Sequence, residues 1–244
     1  MSNDAKVLQR NGPVAHIDLA SIVHNCRVVR DAAPNSQIMA VIKADAYGHG
    51  LGQVARTLSP HVDALAVARV TEACELRDVG IEDAIIVLQG FASRSELDQC
   101  IEGGFLPVIH SDAQVGMMLT EPEYPVWLKV DTGMHRLGLR PSQLMEVCPQ
   151  LNVIGVMSHL ANSDQPDHPL NAAQLEAVQS CTEGLPYPLS LANSGAVLSM
   201  PDCHLDWVRP GVMLFGSSAD GRQDDRLRES MSLSASILSV QLLD

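Results

Sequence analysis

Apolar residues along this chain come in short unbroken runs rather than in alternation with polar ones. Eight runs stand out: IMAVIKA (38–44), DALAVAR (63–69), AIIVLQG (84–90), FLPVIH (105–110), VWLKVD (126–131), VIGVMSH (153–159), LSLAN (189–193) and VMLFG (212–216). They are rich in Val, Ile and Leu, which suits parallel strands covered on both faces. Amphipathic stretches at 70–80, 94–104, 111–119 and 169–181 lie between them and read as helices. Thr71, Ser93 and Ser111 stand where helices would start, and Gly80 and Gly103 where helices would stop. Eight strand–helix repeats predict an α/β fold, a (β/α)8 barrel of the TIM type. A doubly wound open sheet is the runner-up, but no GxGxxG follows any of the runs.

The two ends do not fit the barrel. Residues 14–34, VAHIDLASIVHNCRVVRDAAP, read as an extra strand followed by a helix. Residues 220–230 are a charged linker, and beyond it Met231, Leu233, Ala235 and Ile237 alternate with serines, the pattern of a half-buried strand. A lone strand buries little and leaves an edge open. The expected organisation is therefore a barrel domain over 1–230, with its extra N-terminal strand, and the start of a second β-rich domain over 231–244. The terminal strands would belong to that truncated domain. If the chain stops at 244, this tail is expected to be without fixed structure or paired with another chain.

Composition narrows the possibilities. A chain of 244 residues with 46% apolar content can fill one barrel, whose usual size is roughly 250 residues. The formal net charge of −13, with no basic block, argues against nucleic acid and against an anionic membrane surface. The six cysteines are scattered, without a CxxC pair or a histidine at zinc-ligand spacing, so no metal site is expected and a cytoplasmic location is. The opening MSNDAKVLQRNGP has no apolar leader core, and no stretch approaches the roughly 18 apolar residues of a membrane span.

Barrel chemistry gathers at the C-terminal ends of the strands. The polar residues there are Lys43, Arg69, His110, Lys129, Asp131, Arg136, His159, Asn193, Ser194 and Gly195, and Arg209, Pro210 and Gly211 come just before the eighth run. A strand-end lysine such as Lys43 can condense with an aldehyde, its ordinary alternative being a side chain snorkelling at the rim. Ser194 and Gly195 open a helix after the seventh run and could hold a phosphate, or simply cap that helix. Arg136 in KVDTGMHRLGL could grip a carboxylate or sit in a salt-bridged loop. His159 could be a hydrogen-bonded core histidine. Arg209, set between Trp207 and Pro210, suits a ring nitrogen or an anion, the alternative being an ion pair with Asp206 or Asp131. Taken together these groups ask for a ligand with an aldehyde, a phosphate and a ring nitrogen, which describes pyridoxal 5'-phosphate (PLP).

Five motifs, AVIKADAYGHG (40–50), LKVDTGMHRLGL (128–139), MSHLAN (157–162), ANSGA (192–196) and RPGVMLFG (209–216), resemble the N-terminal domain of the bacterial alanine racemases, in that family's order. The resemblance covers roughly residues 14–243. It implies a PLP-binding barrel followed by a β-rich domain, a homodimer when full length, and interconversion of L- and D-alanine, supplying D-alanine for cell-wall peptidoglycan. It implies that Lys43 holds PLP and acts as base on one face of the substrate. Tyr47, Ser194, Gly211 and Val212 would hold the phosphate with Asn193 beside it. Arg209 would meet the pyridine nitrogen with His159 in support, and Arg136 would orient the cofactor's phenolic oxygen and the substrate carboxylate. Lys129 matches a position that is carbamylated in some members. The family's opposite-face base is a tyrosine of the partner subunit's second domain, and Tyr47, Tyr124 and Tyr187, the tyrosines of this chain, match no such motif. A PLP-binding barrel without racemase activity is the alternative function, and racemisation of serine or another amino acid would share the same motifs.

Overall fold

The computed structural model describes residues 12–242; the opening MSNDAKVLQRN and the last two positions lie outside the described residues. Strand β1 (Val14–Ile17) leads into a helix over Leu19–Ala32, where Asp18 accepts from the N–H groups of Ala20 and Ser21 at 2.9 and 3.2 Å. Eight parallel strands then close a barrel: β2 (Gln37–Val41), β3 (Ala64–Val67), β4 (Ile85–Val87), β5 (Leu106–Ile109), β6 (Val126–Lys129), β7 (Val153–Met157), β8 (Leu189–Asn193) and β9 (Trp207–Arg209). The circle closes where β9 pairs with both β8 and β2, placing Trp207 beside Gln37 and Val208 beside Ile38.

The strands show no alternation because both of their faces are buried. Met39, Val41, Ala64, Ala66, Ile86, Val108, Trp127 and Met157 fill the interior. Ile38, Ala40, Ile42, Leu65, Val67, Ile85 and Val87 point the other way, into the larger core under the helices. Trp127 and Trp207 meet edge to face inside the barrel with centroids 5.8 Å apart.

Four expectations need correction. The eighth strand is Trp207–Arg209, and VMLFG is instead a 3-10 turn over Val212–Phe215. A short apolar run reads the same whether it is a buried strand or a buried turn. The ladder decides it here, since only 207–209 reaches both neighbouring strands. Thr71 is not a helix start: the helix Val70–Asp78 is capped at Arg69, and Glu72 takes the N–H groups of Ala68 and Arg69 at 2.7 and 3.1 Å. Ser93 and Ser111 do cap their helices, while the left-handed stop of the helix Arg94–Gly103 is Gly104 rather than Gly103. The first part of the tail has fixed structure within the chain, while residues 235–242 form no element. Strand β10 (Met231–Ser234) pairs antiparallel with β1, Ile17 opposite Met231 and Val14 opposite Ser234.

Candidate active site

The mouth at the C-terminal ends of the strands holds a cleft of about 650 Å³. Lys43, Tyr47, Lys129, Arg136, His159, Asn193, Ser194, Arg209, Gly211 and Val212 all line it. Arg69 and His110 do not; they line a neighbouring depression that shares Gln89 and Leu137 with the cleft. Asp131 lines neither and shapes a loop instead, its Oδ1 accepting from the N–H groups of Gly133, Met134 and His135, each at 3.0 Å. Burial raises the Asp131 carboxyl, but those N–H groups and nearby His135 outweigh it and hold it below the usual range. The loop so formed carries Arg136 to the rim, where it makes no ion pair among the described residues.

Lys43 stands two residues past β2, at the head of an unusual turn. Ala44, Asp45, Ala46 and Tyr47 all adopt left-handed backbone angles, with φ between 52 and 55°. Such a turn costs roughly 1–2 kcal/mol per residue in L-amino acids, so the surroundings must hold it. Glu72 accepts the Ala44 N–H at 2.7 Å and Asp45 accepts the Leu51 N–H at 2.6 Å. His49 Nδ1 lies 3.1 Å from the carbonyls of Ala46 and Tyr47, and its Nε2 lies 2.9 Å from Ser230 Oγ. Phe215 packs against both the Tyr47 and His49 rings, at 5.1 and 4.4 Å.

The far side of the cleft is built from the ends of β8 and β9. Ser194 Oγ accepts the N–H of Gly211 at 2.8 Å and of Met213 at 3.3 Å, joining the two loops. Asn193 caps the short helix Ser194–Ser199 and donates to Ser163 Oγ at 2.7 Å. A β-carbon at Gly195 would collide with the Ser163 carbonyl, so glycine is required there by close approach.

Arg209 is 5% exposed and has no carboxylate partner among the described residues, so the ion pair with Asp206 or Asp131 does not form. Its guanidinium donates to Ser190 Oγ at 2.6 Å, to the Ser158 carbonyl and to the Leu191 carbonyl at 3.3 Å. It also lies 3.3 Å from His159 Nδ1. A guanidinium only donates, so Nδ1 accepts and the imidazole proton sits on Nε2. Burial lowers the Arg209 pKa to about 10, which still leaves it charged at neutral pH. Burial, then the positive field of Arg209, Lys129, Arg136 and Lys43, pushes His159 well below its ordinary value. Lys129 is lowered to about 8, by burial first and then by Arg209, Arg136 and Lys43.

The cleft thus concentrates positive charge around one reachable amine, with hydroxyls and backbone N–H groups along one wall. That donor set suits a phosphate, a carboxylate and an electron-rich ring atom. Tyr124 donates to the carbonyls of Cys100 and Phe105, away from the cleft, and Tyr187 does not line it either. Ser217, Ser218 and Ala219 also line it, as do Ala68, Leu88, Gln89 and Leu137. Strand-end logic did not reach these, although the small hydroxylic run SSA just after VMLFG was a usable signal.

A family model described as "Alanine racemase, N-terminal domain" matches residues 17–219. An alanine racemase of Thioalkalivibrio sulfidiphilus is 43% identical, over 96% of this chain and 69% of its own length. One from Halorhodospira halophila is 41% identical, over 94% of this chain and 66% of its own. Among solved structures, the biosynthetic alanine racemase of Pseudomonas aeruginosa superposes with a TM-score of 0.85 at 37% identity, covering 91% of this chain and 66% of that one. The Bartonella henselae alanine racemase with covalently bound pyridoxal phosphate gives 0.88 at 30% identity, covering 96% and 68%. This chain spans about two thirds of the length of these relatives.

Proposed function

This chain belongs to the alanine racemase N-terminal domain family, and on that premise we propose that it forms the cofactor-binding barrel of a PLP-dependent racemase that interconverts L-alanine and D-alanine. One observation carries the reading: a single strand-end cleft unites the Lys43 amine, the buried Arg209 guanidinium without a carboxylate, and the Ser194–Gly211 wall. The residues fit PLP. A β-carbon at Gly211 would lie 2.5 Å from Tyr47 Oη, so the hydroxyl and the loop are already brought together as a cradle.

When bound, PLP supplies the electron sink that makes an attached amino acid's α-hydrogen acidic. Lys43 holds the cofactor through its amine and moves the α-proton on one face of the substrate. Tyr47, Asn193, Ser194, Gly211 and Val212 hold the phosphate. Arg209 donates to the ring nitrogen without surrendering a proton at working pH, which limits how far electrons drain into the ring, and His159 supports it as a neutral acceptor. That favours a brief loss and return of the proton over side reactions. Arg136 orients the phenolic oxygen and the substrate carboxylate. Lys129 adds carbon dioxide through its neutral amine, forming an N–C bond and releasing a proton, and the resulting anion steadies Arg136; its lowered pKa supports this.

Return of the proton from the other face needs a second acid/base group. We assign it to a tyrosine in the second domain of a partner subunit, with the enzyme a homodimer and residues 231–244 the start of that domain. Support comes from the β1–β10 ribbon and the residues just past it, where Leu233, Ile237, Leu238, Val240 and Leu242 are exposed, an apolar face that calls for cover. Six unpaired cysteines support a cytoplasmic location, and no helix among the described residues is long and apolar enough to cross a membrane. The product would serve cell-wall peptidoglycan synthesis.

Borohydride reduction of the PLP-loaded chain followed by peptide mapping tests the cofactor site. Label on Lys43 is expected, and label elsewhere would sink the assignment. Chiral chromatography of D-alanine formed from L-alanine, against a Lys43→Ala control, tests the reaction.

A further inference from the structure

The helix Pro169–Cys181 turns two amides and an aliphatic residue toward the barrel: Asn171, Gln174 and Val178. Gln174 is completely buried. A glutamine is rarely found there, because an unbonded amide away from water is costly. This one is fully bonded. Its Oε1 accepts the Ala161 N–H at 2.8 Å, while its Nε2 donates to the His159 carbonyl at 2.8 Å and to Thr132 Oγ1 at 3.3 Å. The Ala161 donor fixes which end of the amide is oxygen.

From there one direction of donation runs through the whole set. Thr132 receives from Gln174, so its own proton goes to Ser158 Oγ at 2.7 Å, and the Ser158 proton goes to the Val130 carbonyl at 2.9 Å. Arg209 closes the ring by donating to the Ser158 carbonyl and meeting His159 Nδ1. Gln174 therefore ties three parts of the cleft together: the loop from Lys129 to Arg136 through Thr132, the end of β7 through His159, and Arg209 through both. It touches none of the reacting groups itself.

We propose that Gln174 is a positioning residue that sets His159 and Arg209 for the cofactor ring, an inference that rests on the proposed PLP-binding function. Burial of a hydrogen-bonded network of this kind fixes one arrangement, and removing one member leaves the others unsatisfied.

The test compares PLP dissociation constants for the full chain, Gln174→Met and Gln174→Glu, from cofactor absorbance and near-UV dichroism across about pH 5.5–8.5. Methionine fills the volume without the hydrogen bonds, and should weaken PLP about tenfold at every pH. A protonated glutamic acid can accept from Ala161 and donate its one proton to His159, giving up only the longer bond to Thr132, whereas its carboxylate cannot donate at all. Gln174→Glu should therefore lie closest to the unsubstituted chain at the acid end and weaken progressively as pH rises. Thr132→Val, which breaks the ring without opening a cavity, should move affinity in the same direction and serves if the Gln174 variants do not fold. Constants within about twofold of the unsubstituted chain, or a weakening of Gln174→Glu that ignores pH, would leave Gln174 only a packing role and overturn the proposal. If the unsubstituted chain itself fails to bind PLP, the cofactor reading fails instead.

Discussion

The Tyr47 hydroxyl occupies the space that a side chain at Gly211 would need, an added β-carbon falling 2.5 Å from its oxygen. The contact joins the turn after β2 to the loop after β9, the first and last strands of the barrel circle.

Gly211→Ala should therefore push Tyr47 out of the cradle while leaving the barrel intact, since only the far end of one side chain must move. The expected result is PLP affinity lower by about tenfold, the loss of a charge-assisted hydrogen bond, with unfolding of the cofactor-free chain changed little. Absorbance titration and thermal melts read the two effects separately.

Glu72→Gln should loosen the left-handed turn. The carboxylate accepts from Ala44, Ala68 and Arg69 together, and an amide replaces one of its acceptor oxygens with a donor that faces an N–H. The expected loss is about 1–3 kcal/mol in denaturant unfolding, with faster hydrogen exchange at the Ala44 amide. Unchanged exchange there would show that the turn is held by other contacts.

Lys129 is lowered from 10.5 to about 8 in the folded chain. Between those values the unfolded chain holds a proton that the folded chain has released, so stability rises with pH across that window; below about 8 the cost of the buried cation is present in full. In carbonate-free buffer Lys129→Met should stabilise the cofactor-free chain at neutral pH, by roughly 2–3 kcal/mol, with the advantage fading as pH rises from about 8 to 10.5. Added bicarbonate should stabilise the unsubstituted chain and not the variant.

His159 is held neutral by burial and by the cations around it. Below the ordinary histidine value the unfolded chain takes up a proton that the folded chain refuses, so stability falls as pH drops below about 6.5. The expected slope for this one group is about 1.4 kcal/mol per pH unit at its steepest. His159→Asn should flatten that acid limb, and the ring of His159 should titrate by NMR well below the ordinary histidine range.

Much of this protein is determined by its sequence alone. Parallel strands covered on both faces need continuous Val, Ile and Leu runs, so seven of the eight barrel strands declare themselves, as do four of the helices between them, though not Leu51–Leu58. Because a barrel delivers the C-terminal ends of its strands to one mouth, Lys43, Lys129, Arg136, His159, Asn193 and Ser194 could be placed together before any coordinates, whereas Arg209 stands at a strand end only because the closing strand is Trp207–Arg209 rather than VMLFG. Tertiary structure decided the rest. VMLFG and WVR are both short and largely apolar, and only hydrogen bonding to β8 and β2 made Trp207–Arg209 the closing strand. The partner of Met231–Ser234 lies more than two hundred positions back in the chain, beyond what any local pattern can specify. The strained turn after Lys43, the missing carboxylate beside Arg209 and the buried amide of Gln174 depend on groups from distant strands and helices meeting in one place. Local propensity is a property of neighbours in sequence, whereas charge, burial and hydrogen-bond completion are properties of neighbours in space.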